Sequence, residues 1–95
     1  MYTIAVVFKC FEGKREEYIE LLTKEGIVDA IRGEEGCISY DYYFSQSDKD
    51  EILLIEKWDK KETQQLHINL PHTQKMLTFK GDYVKSTEIK EFELK

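Results

Sequence analysis

Two cysteines, two histidines, one tryptophan and one proline are all that these 95 residues hold of those types, and the shortages remove whole classes of protein. Cys10 and Cys37 have no C-x-x-C spacing, and two histidines with no third ligand in sight do not make a zinc site. No metal is therefore expected, and both cysteines read as free thiols of a reducing compartment. No excess of positive charge exists: fourteen basic residues are scattered among nineteen acidic ones, for a net charge of -5. With no basic stripe and no aromatic interleaving, nucleic acid and anionic membrane surfaces are not expected partners. Long hydrophobic runs are absent too. The apolar stretch from Ile4 to Phe8 is too short for a membrane span or a signal-peptide core, and no basic segment precedes it, so a cytoplasmic location is expected. Gly33 and Gly36 enclose Glu34 and Glu35, which excludes a phosphate loop, and no flavin or nicotinamide fingerprint is present.

What remains is an ordinary globular composition, 41% hydrophobic and 35% charged, of a length that makes one domain over residues 1–95. So short a chain leaves much surface exposed unless a partner covers it. Residues 2–10 read as a strand that is apolar on both faces, Ile4, Val6 and Phe8 on one and Ala5 and Val7 on the other. Residues 14–32 have helical spacing through Tyr18, Leu21, Leu22, Val28 and Ile31, with Gly26 marking a bend. Residues 37–45 return to strand, with Ile38, Tyr40, Tyr42 and Phe44 on one face and Cys37, Ser39, Asp41 and Tyr43 on the other. Residues 46–50 are a polar connection to a third strand over 51–58. Asp59 and Glu62 have the spacing of an N-cap and its N3 carboxylate, predicting a short helix over 59–69. Pro71 opens a second helix to Phe79, with Met76, Leu77 and Phe79 as its core residues, and Gly81 stops it. A final strand runs from Tyr83 to Leu94. This order predicts an α+β domain, a four-stranded antiparallel sheet with its helices on one face. Apolar residues on both faces of the first three strands predict that a second copy covers the other face.

The stretch from Glu51 to His72 gathers both histidines and the tryptophan, so any site is expected there. His67 is a candidate general base, because an imidazole with a pKa near 6.5 exists in both protonation states at neutrality. Alternatively it is a structural histidine tied to a strand carboxylate, Glu56 being the available one. His72 either faces the same cavity or caps the second helix. Trp58 offers a flat wall and one N–H donor, or is simply core. Tyr40 and Tyr42 share a strand face and could wall a pocket; Tyr43 points the other way. Glu56 needs a partner if it is buried. Arg15, Arg32 and Lys14 flank the first helix as anion ligands or as solvated helix ends.

Glu35-Gly36-Cys37 followed by Tyr40, then Glu56-x-Trp58, His67 and Pro71-His72, resembles the signature of the antibiotic biosynthesis monooxygenase family, in order and spacing, along essentially the whole chain. The resemblance implies a ferredoxin-like fold of the dimeric α/β barrel type. It also implies a cofactor-independent monooxygenase that oxidises a small hydroxylated aromatic, quinol-like, with dioxygen. His67 and His72 would be catalytic, Trp58, Tyr40, Tyr42 and Glu56 would bind substrate, and no cofactor would be needed. The partners implied are the small substrate, dioxygen and a second copy of the chain. Two alternatives stay open: an isomerase of a small phosphorylated carbonyl signal of the autoinducer-2 type, and a non-enzymatic dimeric binder of small molecules. The haem-degrading branch of the family is less similar, since its first strand carries an asparagine where this chain has Thr3.

Overall fold

The structure is a computed structural model and describes residues 1–93. The elements follow one another as β1 (Tyr2–Cys10), α1 (Arg15–Lys24), α2 (Ile27–Arg32), β2 (Cys37–Phe44), β3 (Glu51–Trp58), α3 (Lys61–His67), α4 (Pro71–Lys80) and β4 (Val84–Glu93). One antiparallel sheet takes the order β2-β3-β1-β4. That is the ferredoxin-like arrangement, with the strands richest in apolar residues in the middle. Alternation then sorts the side chains. Tyr2, Ile4, Val6, Phe8 and Cys10 of β1, and Ile52, Leu54, Glu56 and Trp58 of β3, are all buried on the face that carries the helices. Tyr18 and Leu22 of α1, Ile27 and Ile31 of α2 and Met76 of α4 close that core.

The register places the site. Ile4 pairs with Glu56 and Glu56 with Tyr40, so these three form one row across the sheet; Val6, Leu54 and Tyr42 form the next. Tyr2, Trp58 and Cys37 end the sheet.

Several expectations are corrected. The sheet is not closed into a barrel: β2 and β4 stand at opposite edges and do not pair with each other. Four strands are too few, since even the small barrels filled by side chains take about eight. The helix expected over 14–32 is two helices, because Gly26 adopts φ 71° and turns the chain between them. Asp59 is not the N-cap of α3; Lys60 is, and it makes no side-chain capping bond. Ile38 does not share the Tyr40 face. A bulge between Cys37 and Ser39 shifts the register there, leaving Ile38 exposed and Cys37 against the core. Leu77 is exposed on α4, whereas Met76 is buried and Phe79 packs on the core edge. Leu94 lies outside the described residues.

Gly36 is the glycine whose lack of a side chain decides a contact. Its φ is +85°, and a Cβ there would run into the Thr63 side chain and come within 2.6 Å of Asp59 Oδ1. The turn between α2 and β2 can therefore lie directly against the start of α3, held by Asp59 N–H donating to the Gly36 carbonyl at 2.9 Å. That approach delivers Glu34 to the histidines.

Candidate active site

His67 is the last residue of α3 and His72 the second of α4, after Pro71 at the first helical position. The break between the two helices turns both rings toward Glu34. His67 Nδ1 lies 2.8 Å from Glu34 Oε2 and 3.1 Å from Oε1, and His72 Nε2 lies 2.6 Å from the same Oε2. Side chains of His67 and Glu34 are only 5% and 7% exposed, that of His72 24%. A carboxylate accepts and an imidazole N–H donates, so Nδ1 of His67 and Nε2 of His72 carry the protons. The Nε2 of His67 is hydrogen-bonded by no described residue and is not sealed from solvent. A buried carboxylate fixing one ring nitrogen leaves the other as an oriented proton acceptor, the relationship that activates imidazole bases in many hydrolases.

Two cavities reach His67. The smaller, about 220 Å³, is walled by Val6, Phe8 and Leu54 of the sheet and Met76 of α4, with Tyr40, Glu56, His67, Thr73 and Lys80 among its polar groups. Its wall is mostly apolar, and it is below the 300 Å³ or so at which drug-sized sites begin, which suits a small ring compound. Exposed Ile68, Leu77 and Ile89 rim it. The larger cavity, about 360 Å³, is lined by Glu34, Glu35, Asp59 and Lys60 along with Thr63, Leu66, His67 and Leu70. Its charge makes it the poorer host for an aromatic, despite its size.

Burial perturbs the titrating groups of the smaller cavity. It pushes the Glu56 carboxyl up, against the opposing effects of the Trp58 N–H bond and of His67. It pushes the Tyr40 phenol well above its usual range and brings the Lys80 ammonium down, with Glu56 opposing the latter. Tyr42, behind Tyr40 and outside the cavity wall, is pushed up to about 12, again mainly by burial. Several shifted groups around one concavity are a mark of functional sites.

The candidate residues of the sequence are thus partly brought together. Tyr40, Glu56 and His67 line one cavity. Tyr42 stands behind Tyr40, their hydroxyls 3.4 Å apart. Trp58 is fully buried and lines neither cavity; its indole N–H donates to Glu56 Oε1 at 3.0 Å and its ring lies 5.1 Å from that of His67. His72 also lines neither cavity, and meets the site through Glu34. Glu56 does not pair with His67; the carboxylate that does is Glu34.

Sequence reasoning missed Glu34, Thr73 and Lys80. Thr73 Oγ1 stands 3.3 Å from His67 Nδ1, and Lys80 lays its ammonium 4.7 Å from the centre of the Phe8 ring. Glu34 sits in a turn, where periodicity says nothing about direction. Lys80 resembles any basic residue in the last turn of a helix.

An α+β ferredoxin-like domain with a histidine-lined cavity between sheet and helices is the class that fold and site define. The chain belongs to the antibiotic biosynthesis monooxygenase family, whose model matches residues 1–78. A curated relative, the uncharacterized protein sll1783 of Synechocystis, is 28% identical over 82 residues; these are 85% of this chain, which spans 54% of that relative's length. Among solved structures, a conserved protein of Methanosarcina mazei superposes with a TM-score of 0.87 at 21% identity, over 99% of this chain and 92% of that one. A protein described as an antibiotic biosynthesis monooxygenase superposes at 0.86 with 16% identity, over 99% and 98%. Rv0793 of Mycobacterium tuberculosis does so at 0.84 with 21% identity, over 98% and 93%. No helix among the described residues is long and apolar enough to cross a membrane.

Proposed function

We propose that this chain is a cofactor-independent monooxygenase of a small hydroxylated aromatic, a quinol, with His67 as general base. The observation that carries the reading is the state of His67: Nδ1 held by Glu34, Nε2 unbonded, and the ring in the wall of a small apolar cavity. Nε2 takes a phenolic proton, and the Lys80 ammonium across the cavity stabilises the phenolate. The electron-rich ring passes an electron to dioxygen, and the two radicals combine in a carbon–oxygen bond. One oxygen atom stays on the ring, the other leaves as water, and a hydroxyquinone results. Trp58 holds Glu56 and the His67 ring in place from behind, and Tyr40 supplies a neutral hydroxyl donor.

Lys80 also favours a second reading. An isomerase of a small phosphorylated carbonyl compound needs a cationic anchor in the pocket of its base, and Lys80 and His67 line the same cavity. A binding protein without turnover would use the same cavity.

The reading takes residues 1–95 as one domain in the cytoplasm, and as a homodimer through the helix-free face of the sheet. Ala5, Val7, Leu53 and Ile55 lie there only half-buried, with Tyr43 53% exposed, an apolar surface of the kind that self-association covers.

The test is oxygen uptake with a reduced naphthoquinol, corrected for autoxidation. Wild-type protein should consume one dioxygen per quinol and yield a hydroxylated quinone, and His67→Gln should lose about a hundredfold or more in kcat. Equal rates in the two proteins would remove His67 from the chemistry. Saturable quinol binding without oxygen uptake would leave the binding role.

A further inference from the structure

We propose that Glu34, His67 and His72 form a three-ligand site for a divalent transition cation of the zinc type, and that the bound cation disables His67 as a base. The metal site stands on its own geometry; its effect on catalysis rests on the function proposed above.

Two imidazole nitrogens and a carboxylate are the donors that zinc-like ions take, three from the protein with a fourth position open to water. Here His67, His72 and Glu34 each offer a ligating atom, and the three atoms all lie within 4.8 Å of one another. Zinc bonds to such atoms run about 2.0–2.2 Å, so neighbouring ligands of a tetrahedral ion sit roughly 3.3 Å apart. The two nitrogens are now 2.8 and 2.6 Å from Glu34 Oε2. Opening each contact by about half an ångström, within the reach of side-chain torsions, admits the ion. Calcium and magnesium are poor candidates, because they require more oxygen ligands than one carboxylate supplies.

The larger cavity provides the open side. Glu34 and His67 stand in its wall, and Glu35 and Asp59 add two more carboxylates against the single cation of Lys60. An approach so lined concentrates dications.

Binding changes which state the second nitrogen of His67, a residue in the wall of the smaller cavity, can take. Without metal, Nδ1 holds its proton on Glu34 and Nε2 accepts. With metal on Nδ1, the neutral ring must carry its proton on Nε2, which then donates and cannot take a phenolic proton. Occupancy of one cavity therefore controls chemistry in the other through a single imidazole.

The experiment is calorimetric titration of chelator-stripped protein with zinc chloride, with cobalt(II) absorption as a report on four-coordination. Wild type should bind one ion per chain, and His72→Ala should bind at least tenfold more weakly. Glu34→Gln should behave alike, and circular dichroism confirms that each variant is folded. Cys37→Ser should leave binding unchanged. No isotherm with wild type, an unaltered one with both His72→Ala and Glu34→Gln, or loss through Cys37→Ser alone would overturn the site. Quinol oxidation by wild type that falls in step with zinc occupancy of the site supports the control of His67. Oxidation that continues with zinc bound overturns that control. Zinc binding by a protein that never oxidises quinol supports the site and sinks the monooxygenase reading alone.

Discussion

Glu34 and His67 are 33 positions apart in the chain and 2.8 Å apart in space, and this contact fixes the orientation of a helix-end imidazole. Glu34→Ala removes the carboxylate acceptor of two imidazole N–H groups, one of them buried and left with only Thr73 Oγ1 at 3.3 Å. A buried donor left unsatisfied costs about 1–3 kcal/mol, so urea unfolding should show a loss of that order. Quinol oxidation by Glu34→Gln should fall more in kcat than in KM, since the ring loses its orientation while the cavity keeps its walls. A variant with wild-type kcat would mean that the carboxylate serves packing only.

Gly36→Ala tests how the contact is reached. The new methyl group meets Thr63 and Asp59, and the backbone stands at φ +85°, where a side chain is strained. A loss of about 2 kcal/mol or more in stability is expected, together with reduced oxidation because Glu34 retreats. Gly13→Ala has a similar φ of 76° but open space around its Cβ, and should cost clearly less by the same urea measurement.

Lys80→Met keeps the length of the side chain and removes its charge. If the ammonium stabilises the developing phenolate, kcat should drop about tenfold to a hundredfold. An unchanged kcat with a raised KM would assign Lys80 to substrate binding alone.

Glu56 carries a pH signature. Its carboxyl is raised above its ordinary value, first by burial. The folded state therefore holds that proton more tightly than the unfolded chain. The associated stability is fully present below the ordinary carboxyl pKa and is lost as pH rises through the folded value. Glu56→Gln, which can still accept from Trp58 Nε1–H, should thus be more stable than wild type at pH 7. The gap should close as the pH approaches 4. Thermal melts at pH 4, 5.5 and 7 check both the sign and the window, and a gap that widens toward acid would refute it.

Val7→Asp places a charge on the helix-free face of the sheet, away from the cavity. If two copies pair there, sedimentation should shift from dimer to monomer while the circular dichroism spectrum is kept. A wild-type protein that sediments as a monomer would remove the partner from the account.

The legible part of the fold was its period. Alternation in β1 and β3 and the apolar spacing of Tyr18, Leu22 and Ile31 follow from which side chains must leave water, and Pro71 and Gly81 bound α4 through backbone restrictions carried by the residues themselves. The misplaced details lie where a neighbour decides. The bulge that expels Ile38 arises from pairing with β3. Lys60 takes the cap where the spacing of Asp59 and Glu62 favoured Asp59.

The site divides along the same line. The sequence by itself put Trp58 at a strand end with Glu56 on the same strand face, and His67 on the helix that follows, because period and order are local properties of the chain. Only the tertiary structure decided which carboxylate holds His67, that Trp58 packs behind Glu56 and His67, and that Lys80 lines the cavity. Glu34 and Lys80 reach the site from a turn and a helix end, where direction is set by packing. The close approach at Gly36, at a φ that side chains rarely adopt, exists only once α3 lies against the turn.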